Sequence, residues 1–148
     1  MKTLILGIGN ILLRDEGTGV HAVRAILREP LPPDVDALDG GTGGLHLLGW
    51  LDGYSRVIII DATLDGRPPG TLRILTPRFA ADFPPLLSAH ETGLKDLLCA
   101  MQLLDTVPET ILIAVSVADI ATPAIGLSPK VADAIPTILK TIKDICQP

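Results

Sequence analysis

The chain has 148 residues, enough for one domain with a substantial core, and 47% of them are apolar, so it is expected to fold as a packed globule, a single domain over 1–148. The net charge of −5 argues against nucleic-acid binding, which draws its affinity from Lys and Arg, and the 3% aromatic content removes stacking platforms for single strands. The two cysteines, Cys99 and Cys146, form no metal-ligand or redox spacing, and no apolar run reaches the ~18 residues of a membrane span, which together point to a reducing, cytoplasmic setting away from the membrane.

Residues 3–8 form a short apolar run ended by glycine and are predicted as a buried strand. Lys2 ahead of this run superficially matches a signal peptide, but Gly7, Gly9 and Asn10 interrupt it and Asp15-Glu16 stand where a cleavage site would be. Residues 15–28 carry Val20, Val23, Ile26 and Leu27 at helical spacing, with His21, Arg24 and Arg28 on the other face, until Pro30, Pro32 and Pro33 stop the helix. Val35–Asp39 is a second strand, followed by "GGTGG". Leu45, Leu48 and Leu51 then mark a helix to about Asp52. The continuous β-branched run "RVIIID" (56–61) reads as a strand covered on both faces.

"TLRIL" (71–75) follows a link too short for a crossover helix, so this strand is expected to run antiparallel to its predecessor. A helix is predicted from about 91 to 104, with Leu94, Leu97, Leu98 and Met101 inward. A buried strand follows at 110–118. Ser128-Pro129 suits the cap and first turn of a last helix, whose apolar period continues across Pro136 and favours a kink over a break. The order β-α-β-α-β-β-α-β-α implies a three-layer α/β fold. Its sheet is mixed, mostly parallel and of about five strands, with helices on both faces.

Gly7-Ile8-Gly9 invites a nucleotide-binding reading. The fingerprint requires glycine three residues after Gly9, where Leu12 stands, and Asp15 and Glu16 occupy the place of the pyrophosphate. A nucleotide cofactor is therefore not expected, and a nucleotide-binding Rossmann-type enzyme stays as a third reading. One of the two carboxylates has an ordinary role in capping the following helix, which leaves the other unexplained. Glu16, Asp39 and Asp61 all lie at or just past strand ends. Parallel strands share a C-terminal edge, so these three carboxylates are expected to converge on one rim, where a cation would offset their repulsion.

Of the three histidines, His21 is expected to be exposed on its helix and His46 to lie at the surface. His90 follows an irregular stretch and immediately precedes a helix, a place that suits either a capping or a functional side chain. Glu16, Asp61 and His90 make an O/O/N set suited to a divalent transition metal with open coordination positions.

Together "GIGNILLRDEGTGV", "LDGGTGG", "IIIDA" and "SAHETGL", in that order, resemble the hydrogenase maturation endopeptidases, and the likeness continues through "PAIGLSP" (123–129). The resemblance implies an endopeptidase that removes a C-terminal extension from the large-subunit precursor of a nickel–iron hydrogenase after nickel insertion. It implies metal-binding roles for Glu16, Asp61 and His90, and it aligns Asp39 with the aspartate of the family's "DGG" motif. The metal either activates the scissile bond directly or belongs to the precursor and is read there, with Asp39 as general base. The second version is the one favoured. Nickel is then cargo of the substrate, and the isolated protein is expected to be a monomer. A non-catalytic chaperone for the nickel-loaded precursor is the alternative of a different class. Neither Cys99 nor Cys146 lies in a pattern that supports a thiol nucleophile.

Overall fold

The computed structural model describes residues 2–76, 94–104 and 107–147. Five strands form one sheet in the order β2-β1-β3-β5-β4: β1 (Thr3–Ile8), β2 (Val35–Gly41), β3 (Arg56–Thr63), β4 (Leu72–Leu75) and β5 (Glu109–Ser116). The first four in that spatial order are parallel and β4 closes the edge antiparallel to β5. β4 thus runs opposite to β3, as expected, but pairs with β5 rather than with its predecessor.

β1, β3 and β5 are the central strands, and their Ile, Leu and Val side chains alternate between two cores. On one face Leu4, Leu6, Val57, Ile59 and Leu112 meet the 3-10 helix Leu45–Leu51 and helix α2 (Leu94–Met101). On the other, Ile5, Ile58, Ile60, Ile113 and Val115 meet α1 (Thr18–Ile26) and α3 (Pro129–Cys146). The three-layer expectation holds. α3 continues unbroken through Pro136, burying Val131, Ala134, Ile138 and Ile142. No described helix is long and apolar enough to cross a membrane.

Two expected helices are shorter or tighter than their apolar spacing suggests. Residues 14–17 form a separate 3-10 turn before α1, and Leu45–Leu51 is 3-10 rather than α. Neither has a side-chain cap, and Gly44 and Gly49 lower α propensity in the second.

The glycines of the first loop let α1 close on the sheet. A Cβ on Gly19 would lie 2.2 Å from the Ile60 carbonyl oxygen and 2.4 Å from that of Ile8. One on Gly7 would lie 2.2 Å from the Gly19 oxygen. Gly9, with φ +152°, faces the Glu16 carbonyl in the same way. The missing side chains therefore make room for the protein's own backbone.

Asp15 joins this loop to a segment over a hundred residues away. Its fully buried carboxylate accepts hydrogen bonds from the Ala118 and Asp119 amides (3.2 and 3.0 Å), and from the Ser128 amide and hydroxyl (both 2.7 Å). Asp15 does not cap α1, and the Ser128 hydroxyl goes to Asp15 instead of capping α3. A parallel bridge between Leu13 and Ala124 runs alongside. Burial pushes the Asp15 carboxyl up, but the amides of Asp119, Ser128 and Ala118 and the Ser128 hydroxyl outweigh it and hold it below its usual range.

Two predictions follow from these contacts. Gly19→Ala should destabilise the fold by about 2–3 kcal/mol or more, because only backbone can yield. Gly49→Ala, which meets nothing within 4 Å, should be neutral or stabilising by up to about 1 kcal/mol. Equal melting midpoints for the two variants would contradict the packing account. Asp15→Asn should cost about 2–4 kcal/mol at pH 7, since an amide leaves buried donors unmatched. A carboxyl with a depressed folded pKa contributes stability above its unfolded value of about 3.9, and this is lost as pH falls through the folded value. Thermal melts from pH 7 to pH 3 should therefore show the gap between wild type and Asp15→Asn narrowing only below about pH 4.

Candidate active site at the sheet's C-terminal edge

The 3-10 turn Arg14–Gly17 lies across the end of β1 and packs against β3. It carries Glu16, 3% exposed, whose amide donates to the Leu13 carbonyl at 3.1 Å. Asp61, 0% exposed, sits near the end of β3, and its Oδ1 accepts the Ala62 amide at 2.8 Å. Carboxyl groups this deep need polar or charged partners, and both residues have interactions within the fold.

Asp39 stands apart from this pair. It pairs in register with Gly7, and Gly7 with Ile60, so it shares the α1 face of the sheet. Asp61 follows Ile60 and, by strand alternation, belongs to the opposite face with Val57 and Ile59. The strand ends therefore converge on one edge as expected, while the Asp39 side chain is directed away from that of Asp61. Arg24 on α1 reaches Asp39, its Nε donating to Oδ2 at 3.1 Å, and the Gly41 amide donates to Oδ1 at 2.9 Å. With its side chain 32% exposed, Asp39 remains accessible to water. Arg24 thus supplies Asp39 with a counterion from within the chain.

His90 lies outside the described residues. α2, the helix that begins shortly after it, covers the Asp61 face. His46 is exposed, as expected. His21 is not: its ring is half-buried beside Gly17, and burial together with the nearby Arg24 guanidinium lowers its pKa, leaving the imidazole neutral at pH 7. Cys99 is exposed and Cys146 half-buried, both as free thiols, and burial pushes the Cys146 thiol up, away from the nucleophilic thiolate. Among the described residues, no three His, Cys, Asp or Glu side chains gather as a metal site.

The arrangement thus offers two buried carboxylates at the edge where α/β proteins hold ligands, and a third, water-accessible one locked by a guanidinium and an amide. Sequence reasoning missed Arg24 and the role of Asp15. Arg24 had a usable signal: it lies off the apolar stripe of a helix that crosses from β1 to β2, where the end of β2 carries Asp39.

The family model for hydrogenase maturation protease (HycI) matches residues 20–145. The hydrogenase 2 maturation protease of Escherichia coli K12 is 37% identical over 145 residues, covering 96% of this chain and 88% of its own. The hydrogenase expression/formation protein HupD of Bradyrhizobium diazoefficiens is 39% identical over 140 residues, covering 90% of this chain and 72% of its own. Among solved structures, the E. coli hydrogenase maturating endopeptidase HybD superposes with a TM-score of 0.85 at 38% identity, over 96% of this chain and 90% of that one. The [NiFe] hydrogenase maturation protease HybD of Thermococcus kodakarensis gives 0.80 at 26% identity, over 99% and 100%. The chain belongs to the hydrogenase maturation protease family and is an endopeptidase of hydrogenase maturation.

Proposed function

We propose that this endopeptidase removes the C-terminal extension of a nickel–iron hydrogenase large-subunit precursor, and only once nickel is in place. The observation that carries the reading is the burial of Glu16 and Asp61 together at the sheet's C-terminal edge. Carboxylates held this deep are preorganised, hard oxygen donors, suited with His90 to a divalent cation presented by a partner. Nickel held by the precursor would supply Lewis-acid character next to the bond to be cut.

In this reading Asp39 is the general base, working from its own side of the shared strand edge, apart from Glu16 and Asp61. Its carboxylate takes a proton from the attacking water and returns it to the leaving amine, so the proton balance closes over the cycle. Arg24 and the Gly41 amide hold both carboxylate oxygens in one orientation, and one-third exposure lets water reach them. The free thiols of Cys99 and Cys146 fit a reducing, cytoplasmic setting and take no part in the reaction.

Mass spectrometry of purified nickel-loaded and nickel-free precursor, each mixed with the protein, tests the reading. Loss of the C-terminal mass is expected only from the nickel-loaded form, and efficient cleavage of the nickel-free form would overturn the nickel requirement. Glu16→Gln, Asp61→Asn and His90→Ala should each slow cleavage by about 10–100-fold or more. Near-wild-type rates in any two of them would remove the assignment. Replacing Cys99 and Cys146 with serine should leave the rate unchanged.

A further inference from the structure

Leu12 and Ile125 are exposed large aliphatics, 60% and 71% accessible, set beside buried acids. The Leu13–Ala124 bridge brings their segments together, with the Ala124 amide on the Leu12 carbonyl (3.1 Å) and the Arg14 amide on the Ala124 carbonyl (2.9 Å). Leu12 immediately precedes Leu13 and Ile125 immediately follows Ala124, so the two exposed aliphatics flank the bridge. Leu13 also accepts the Glu16 amide, so the aliphatic pair and the site acid share one support.

That support is rigid. Asp15 ties the two segments with four hydrogen bonds, and Arg14 adopts φ +48°, a strained conformation for a residue with a side chain. Flexible loops expose aliphatics at little cost, but here a fixed platform holds them in water. Leu64, just past the end of β3, adds another exposed leucine at the same edge of the sheet.

We propose that Leu12 and Ile125 form the docking surface for the apolar residues of the precursor that flank its scissile bond. The proposal rests on the substrate assignment above. Carboxylates this deeply buried can meet a partner's metal only if the partner seats closely on the rim, and Leu12 and Ile125 flank the bridge whose Leu13 carbonyl also receives the Glu16 amide. A second copy of this chain brings no metal to the buried acids, so nothing at the site calls for it to seat there.

The double variant Leu12→Ser/Ile125→Ser tests this against nickel-loaded precursor for KM and kcat, and against nickel-free precursor for equilibrium affinity. KM and Kd should rise about tenfold or more while kcat stays within about twofold, as expected for aliphatic anchors removed from an interface. Leu103→Ser, an exposed leucine in the segment leading to the start of β5 at the other end of the sheet, should change neither. Should the double variant not melt like wild type, the two single variants carry the same comparison. Unchanged KM and Kd would overturn the proposal. So would a fall in kcat alone, or a wild-type dimer that the variant dissolves without loss of precursor affinity. A wild type that binds the precursor without cutting it would refute the proposed reaction while the affinity comparison still decides the docking surface. A wild type that neither binds nor cuts would refute both.

Discussion

The rim of this protein depends on one buried carboxylate. Asp15 accepts from two separate parts of the 118–128 segment, and its own backbone carries the contact onward, with its amide on the Asp119 carbonyl and its carbonyl receiving the Thr18 hydroxyl. Hydrogen bonds to a charged acceptor are worth about 1.5–3 kcal/mol each when fully formed, so this set offsets both the burial of the charge and the strain at Arg14. Glu16 is the next residue. Its position at the end of β1 follows from what Asp15 holds, which makes the first acid of the pair structural.

The sheet was legible because its signals are local. "RVIIID" and "TILIAVSV" carry their burial in their composition, and α3 shows its period across Pro136. The Asp15 contacts were not legible, because its partners lie 103 to 113 positions away and a carboxylate ahead of a helix looks like an ordinary cap. The 3-10 segments were read as α-helix because apolar spacing over seven residues or fewer does not separate the two. His21 misled for a related reason. It does lie off the apolar stripe of α1, but the 3-10 turn folds back beside it, and no periodicity reports a neighbour from another element.

For the site, position along each strand was readable and direction was not. Asp39 and Asp61 each end an apolar run, and both reach the same edge. Which face each side chain takes depends on register across β2, β1 and β3, a property of pairing rather than of either strand alone. Convergence of strand ends therefore does not imply convergence of charges. Separated in this way, Asp39 takes its counterion from α1 instead of adding its charge to that of Glu16 and Asp61.

The same reasoning explains why a glycine-rich first loop can serve an acidic rim. In a phosphate-binding fold, glycines bring backbone amides up to a ligand's anion, and the helix N-terminus supplies favourable potential. Here Gly7, Gly9 and Gly19 are closed upon by backbone from the turn and from α1, leaving no room for a phosphate between them. The anions are instead part of the chain: Asp15 and Glu16 sit in the 3-10 turn just ahead of α1. A fold that elsewhere recruits an anion has here supplied its own.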